Sequence, residues 1–143
     1  MSIEPLHIEQ ASVYYDEAEK IVHVAYRGDL GADVTVQVYD WLDNLIRTIG
    51  VENIYAEIFD FREVTAFQEE NLQTARKTSK RMNLRLDTSQ FPVALLVKTF
   101  YQEEILRTPM HIPPEHQRKR IVKTEAEARA FIEEWHQRRR EAG

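Results

Sequence analysis

Asn53-Ile54-Tyr55-Ala56-Glu57-Ile58-Phe59-Asp60-Phe61, then Arg62-Glu63-Val64 and Thr65-Ala66-Phe67-Gln68-Glu69-Glu70-Asn71-Leu72, is the stretch on which the fold turns. Its opening residues are rich in β-branched and aromatic side chains and predict a strand that ends near Asp60. Thr65 and Gln68 stand at capping-box spacing, so a helix is expected to open there. The inner face of that helix takes Leu72, Ala75, Ser79 and Met82, and its outer face Glu69, Glu70, Gln73, Lys77 and Lys80. Acids at the start and bases at the end is the order the helix dipole favours.

Working outward, residues 11–15 and 20–26 read as the two arms of a hairpin, with Asp16-Glu17-Ala18-Glu19 between them. Alternation puts Ile21, His23 and Ala25 on one side and Val22, Val24 and Tyr26 on the other. Gly28 and Gly31 mark a break, and Asp33 is the expected N-cap of a helix carrying Val34, Val38, Trp41, Leu42, Leu45 and Ile49 inward, stopped by Gly50. Phe91-Pro92-Val93-Ala94-Leu95-Leu96-Val97 suits a strand buried on both faces. Residues 99–107 predict a short helix with Phe100, Ile105 and Leu106 inward, before a loop made irregular by Pro109, Pro113 and Pro114. Residues 118–123 predict a basic edge strand around Ile121 and Val122. A second capping box, Thr124-Glu125-Ala126-Glu127, opens a last helix with Ala128, Phe131, Ile132 and Trp135 on one face. The order is β-β-α-β-α-β-α-β-α. It implies an α/β fold with a mostly parallel mixed sheet, flanking helices and an antiparallel hairpin at one edge. Trp41 and Trp135 are expected in the helical layers.

A length of 143 residues supports one domain over 1–143, with 1–11 and 137–143 as frayed termini. Apolar residues at 43% and charged residues at 30% describe an ordinary globular chain. The absence of Cys removes disulfides, thiolate metal sites and cysteine nucleophiles. The start of the chain carries neither a basic region nor a long apolar run, so a soluble, cytoplasmic protein is expected. A net charge of −5 argues against a nucleic-acid partner. Charge is uneven along the chain: residues 1–75 hold 4 basic and 15 acidic side chains, whereas residues 76–143 hold 15 and 9. If the basic half forms a face, Arg118, Lys119, Arg120, Arg138, Arg139 and Arg140 support weak contact with an anionic membrane.

No chemistry is spelled out. His7, His23, His111, His116 and His136 show no HxH or HExxH spacing, so no metal site is expected. There is no GxSxG elbow, no phosphate loop and no GxGxxG, so neither a catalytic residue nor a cofactor is assigned, and the chain is read as non-enzymatic. Asp60 ends a central strand, where open α/β sheets place ligand crevices. Its alternative role is to accept backbone amides in the turn that follows.

The segment from Asp60 to Leu72 resembles the switch segment of STAS domains. With the Tyr15-Asp16 hairpin, Tyr26-Arg27-Gly28, Pro92-Val93-Ala94 and Thr124-Glu125-Ala126-Glu127-Ala128, the chain is similar to the SpoIIAA-like family of small bacterial α/β proteins over residues 12–136. The resemblance implies a four- or five-stranded sheet and a regulatory module that binds a protein partner, or itself, as anti-sigma-factor antagonists do. Their phosphorylatable serine falls here at Glu69 or Glu70, neither of which accepts phosphate. On this reading Asp60, Arg62, Phe67, Glu69, Glu70 and Asn71 form the partner-binding segment, with Arg62 and Asn71 flanking the footprint. A likeness to SEC14-type lipid carriers supports an alternative: a small carrier holding an apolar ligand against Phe100, Tyr101, Met110 and Ile112, with peripheral membrane association.

Overall fold

The computed structural model describes residues 3–85, 90–107 and 118–142, with the side chains of 79–85 outside the description. Met110 and Ile112, His111 and His116, and the prolines at 109, 113 and 114 therefore lie outside the described residues, as do the side chains of Ser79 and Met82.

Among the described residues, six strands form one sheet in the order β1 to β6. They are β1 (Leu6–Ile8), β2 (Ala11–Asp16), β3 (Ile21–Leu30), β4 (Ala56–Phe67), β5 (Val93–Leu96) and β6 (Lys119–Val122). The helices are α1 (Ala32–Ile49), α2 (Glu69–Arg85), α3 (Phe100–Arg107) and α4 (Glu125–Ala142), with a 3₁₀ turn at Val51–Asn53. The first three strands pair antiparallel and β3 to β6 pair parallel. The mixed, mainly parallel α/β architecture is as expected, with a strand count one above the upper expectation. The addition is β1, within the region expected to fray: Leu6 and Ile8 pack against the core, and Trp41 Nε1 donates to the Glu4 carbonyl at 2.8 Å. At the other end α4 runs on to Ala142.

Alternation along β3 decides the layers as the sequence implied. Val22, Val24 and Tyr26 join Phe59, Phe61, Val93 and Leu95 in a core under α1. Ile21 joins Ile58, Ala94, Leu96 and Val122 in a second core under α4, filled by Ala128, Phe131 and Ile132. Trp135 only borders this second core. Thr124 caps α4 as expected, its hydroxyl oxygen accepting the Glu127 amide at 3.1 Å.

Three expectations are corrected. Helix α1 is capped by Gly31, with Asp33 inside its first turn. The strand that was to end near Asp60 continues to Phe67, so Thr65 lies in β4 and its capping box does not form. Parallel pairing with β3 as far as Leu30 opposite Phe67 supplies backbone bonds to β4, which outweigh one capping bond. The register with β3 shifts twice on the way, and Gly28 at the second shift takes φ +73°, a left-handed conformation that glycine adopts without steric cost. Finally, Phe100 faces outward from α3 and Gln102 is buried in its place, while Leu106 is buried as expected.

Candidate functional site: the free edge of the central strand

Strand β5 pairs with β4 only from Glu57 to Asp60, so residues 61–67 run past their neighbour. A strand edge with no neighbour leaves amides and carbonyls unpaired. Three side chains take the place of the missing strand. Asp60 Oδ1 accepts the Arg62 amide at 3.0 Å. Gln102, 1% exposed, donates to the carbonyls of Val64 at 2.9 Å and Arg62 at 3.2 Å. The Tyr101 hydroxyl accepts the Phe67 amide at 3.0 Å. Gln102 also accepts the amides of Lys98 and Thr99 at 2.7 and 3.1 Å, so one buried amide ties the start of α3 to β4.

Asp60 and Arg62 lie two apart on one strand face and close a bidentate pair, Nε to Oδ1 at 3.0 Å and Nη2 to Oδ2 at 2.9 Å. Burial alone would raise the Asp60 carboxyl. The Arg62 side chain and amide outweigh it and hold the acid below its usual range. Asp60 thus has the structural role that the sequence left open, on a strand in place of a turn. Asn71, read as a flank of the footprint, is instead 3% exposed and accepts the hydroxyl of buried Thr35, pinning α2 to α1.

Glu69 and Glu70 are exposed in the first turn of α2, which opens after Gln68. Phe67 joins an aromatic series that rises out of the core: Tyr26 to Phe61 at 5.2 Å, Phe61 to Phe67 at 5.9 Å, and Phe67 to Tyr101 at 5.9 Å. At its outer end Phe100 is 73% and Tyr101 44% exposed. Two residue groups that the sequence assigned to different sites therefore meet at one end of the sheet. Phe100 and Tyr101 turn to solvent there.

Gln102 was missed by the sequence reading, although a lone glutamine three residues after an N-cap threonine is a local signal: the Thr99 hydroxyl accepts the Gln102 amide at 3.1 Å. Other titratable groups are held by structural partners. His136 Nε2 lies 2.7 Å from the Tyr55 carbonyl with the two rings stacked at 3.8 Å, and the Tyr55 hydroxyl donates to Glu133 at 2.9 Å. Asp16, Glu19 and His23 bring ligand-type atoms within 4.8 Å of one another. There Glu19 is engaged by Arg129 on both oxygens and Asp16 Oδ1 accepts two turn amides, so the carboxylates already have cationic and amide partners. In the basic half, Arg118 stacks over Phe91, Arg120 over Phe131 and Arg139 over Trp135. No helix among the described residues is long and apolar enough to cross a membrane.

This architecture is that of the SpoIIAA-like α/β proteins. The anti-sigma factor antagonist SpoIIAA in its unphosphorylated form is similar to the chain with a TM-score of 0.54 at 11% identity, over 91% of this chain and 96% of that one. An uncharacterised protein with a SpoIIAA-like fold from Shewanella loihica is similar with a TM-score of 0.56 at 15% identity, over 92% and 98%. An anti-sigma factor antagonist from Mycobacterium paratuberculosis is similar with a TM-score of 0.52 at 14% identity, over 93% and 99%. No protein-family model and no curated protein matches the sequence.

Proposed function

We propose that the chain is a regulatory protein-binding module that acts by association and not by catalysis. Its contact surface is the end of the sheet where β4 gives way to α2. The observation that carries this reading is the joint exposure of Glu69 and Glu70 just after Phe67 and of Tyr101, which packs on Phe67, and its neighbour Phe100, on a fold shared with anti-sigma factor antagonists. The first turn of α2 holds two carboxylates, so the surface is negative without phosphorylation. A phosphoserine carries close to two charges at neutral pH, which one glutamate does not match and two approach. Buried Gln102 and Asn71 hold the surface in place from beneath, so the partner meets a preorganised face.

Affinity capture compares the wild type with a Glu69→Gln, Glu70→Gln double variant. Both glutamates are exposed, so the variant is expected to melt nearly as the wild type does while losing most of the proteins retained by it. Equal recovery of the same proteins overturns the reading.

A further inference from the structure

The charge around the aromatic step specifies its partner more closely than the fold does. Strand β3 ends beside β4, with Asp29 opposite Ala66 and Leu30 opposite Phe67. The Gln68 amide donates to the Leu30 carbonyl at 3.0 Å, which sets the start of α2 next to the start of α1. A Cβ on Gly31 would stand 3.0 Å from Asp33 Oδ1 and 3.3 Å from Gln68 Oε1, a measure of how close the two helix starts lie. Asp29, Asp33, Glu63, Glu69 and Glu70 are all exposed at this end of the sheet. The N-termini of α1, α2 and α3 contribute about half a positive charge each, offsetting roughly one to two of the five negative charges. Nearby cations do little more. Among the described residues, Arg62 is bonded to Asp60, Arg27 donates to Ser12 and to the Ile8 and Glu9 carbonyls, and Lys98 is exposed before α3.

An apolar step with a carboxylate rim matches one kind of ligand: a segment with one apolar and one cationic face. We propose that the end of the sheet formed by Phe67, Phe100 and Tyr101 with Asp29, Asp33, Glu63, Glu69 and Glu70 docks a cationic amphipathic segment of a protein partner. An apolar side chain of that segment packs on Phe100 and Tyr101, and its Lys or Arg side chains face the carboxylates. The same charge repels an anionic membrane from this end. This inference rests on the reading of the surface proposed above and adds the chemistry of what binds there.

Three synthetic peptides test it: a leucine/lysine amphipathic helix, its leucine/glutamate counterpart, and a serine/lysine peptide with the charge of the first and no apolar face. Binding is read by amide chemical shifts of the isotope-labelled full chain, at low and at physiological salt. The leucine/lysine peptide is expected to shift Phe67, Glu69, Glu70, Phe100 and Tyr101. It should bind about tenfold more weakly to a Phe100→Ser variant, the usual scale for losing an apolar anchor. The Glu69→Gln, Glu70→Gln variant should weaken it and flatten its salt dependence. Equal binding of the serine/lysine peptide overturns the apolar anchor. Preferential binding of the leucine/glutamate peptide at this surface overturns the charge assignment and leaves the contact surface standing. Shifts confined to another face overturn both. Adsorption of phosphatidylserine vesicles through this end also overturns the inference.

Discussion

The side-chain amide of Gln102 donates to the carbonyl of Val64 at 2.9 Å, across a gap where a neighbouring strand would otherwise lie. Its oxygen accepts two amides from the turn before α3, so all of its polar capacity is used inside the protein. Replacing Gln102 with Leu keeps much of the volume and strands two carbonyls and two amides. At about 1–3 kcal/mol for an unsatisfied buried group, with partial relief from water, a loss of about 2–4 kcal/mol is expected in urea unfolding. Gln102→Glu should not rescue it, since a carboxylate accepts the amides and offers the carbonyls no donor.

Glu57 is 6% exposed on the central strand. Burial raises its carboxyl above the ordinary value of 4.5, and the nearby charges of Arg118 and Lys119 only partly oppose the rise. Between the unfolded value and the raised folded one, the folded state therefore holds more of this proton than the unfolded state does. Stability contributed at low pH declines as pH rises from 4.5 through the folded value. Glu57→Gln should raise the melting temperature at pH 7 and flatten its pH dependence above 4.5. Thermal melts across that range check this, and a variant less stable than the wild type at neutral pH contradicts it.

Asp60 titrates in the opposite sense. Burial opposes ionisation, but the Arg62 hydrogen bonds hold the folded carboxyl low, so its stabilising effect is present above the unfolded value and lost as pH falls through the folded one. Arg62→Met should therefore destabilise the protein at neutral pH and by less near the folded value of Asp60. The pair is partly exposed, so a modest effect is expected in melts at several pH values.

Helix α4 separates two aromatic residues that share a helical stripe. Phe131 is 4% exposed, whereas Trp135 borders the core and carries Arg139 over its ring at 5.1 Å. Phe131→Ala should cost about 3–5 kcal/mol, the range for a buried aromatic. Trp135→Ala should cost about 1–2 kcal/mol, since part of its surface stays in water when folded. Denaturant melts of the two variants should rank in that order.

Thr35 and Asn71 form a buried pair between α1 and α2. Thr35→Val or Asn71→Leu alone should cost about 1–3 kcal/mol, because each leaves the other unpaired. The double variant should cost less than the sum of the two, which a double-mutant cycle measures directly.

Much of the fold is legible along the chain. Alternation in residues 21–26 assigns both faces of β3, the Val93-Ala94-Leu95-Leu96 run is buried throughout, and Thr124 caps α4 where expected. The candidate surface is half legible. Glu69 and Glu70 do stand in the first turn of α2, although Gln68 and not Thr65 precedes it. What misled the reading at Thr65 was a local motif competing with a partner far away in sequence, the β3 edge ending at Leu30.

The sequence by itself determined most of the alternation of strands and helices, the apolar stripes of α1 and α4 and the charge at the start of α2, because each depends on residue types or on periods of two or 3.6 residues within one segment. Tertiary structure alone decided that β1 pairs, that β4 outruns β5 and that Gln102 and Asn71 turn inward. It also decided that Phe67 meets Tyr101. The partner of β1 lies nearby in sequence and Gln102 takes part of its bonding from Lys98 and Thr99, but Phe67 with Tyr101 and Gln102 with Val64 meet across 34 or more positions. A hydrogen-bonding group buried at a strand edge is satisfied by whatever donor or acceptor the folded chain brings there, and no local period encodes which one arrives.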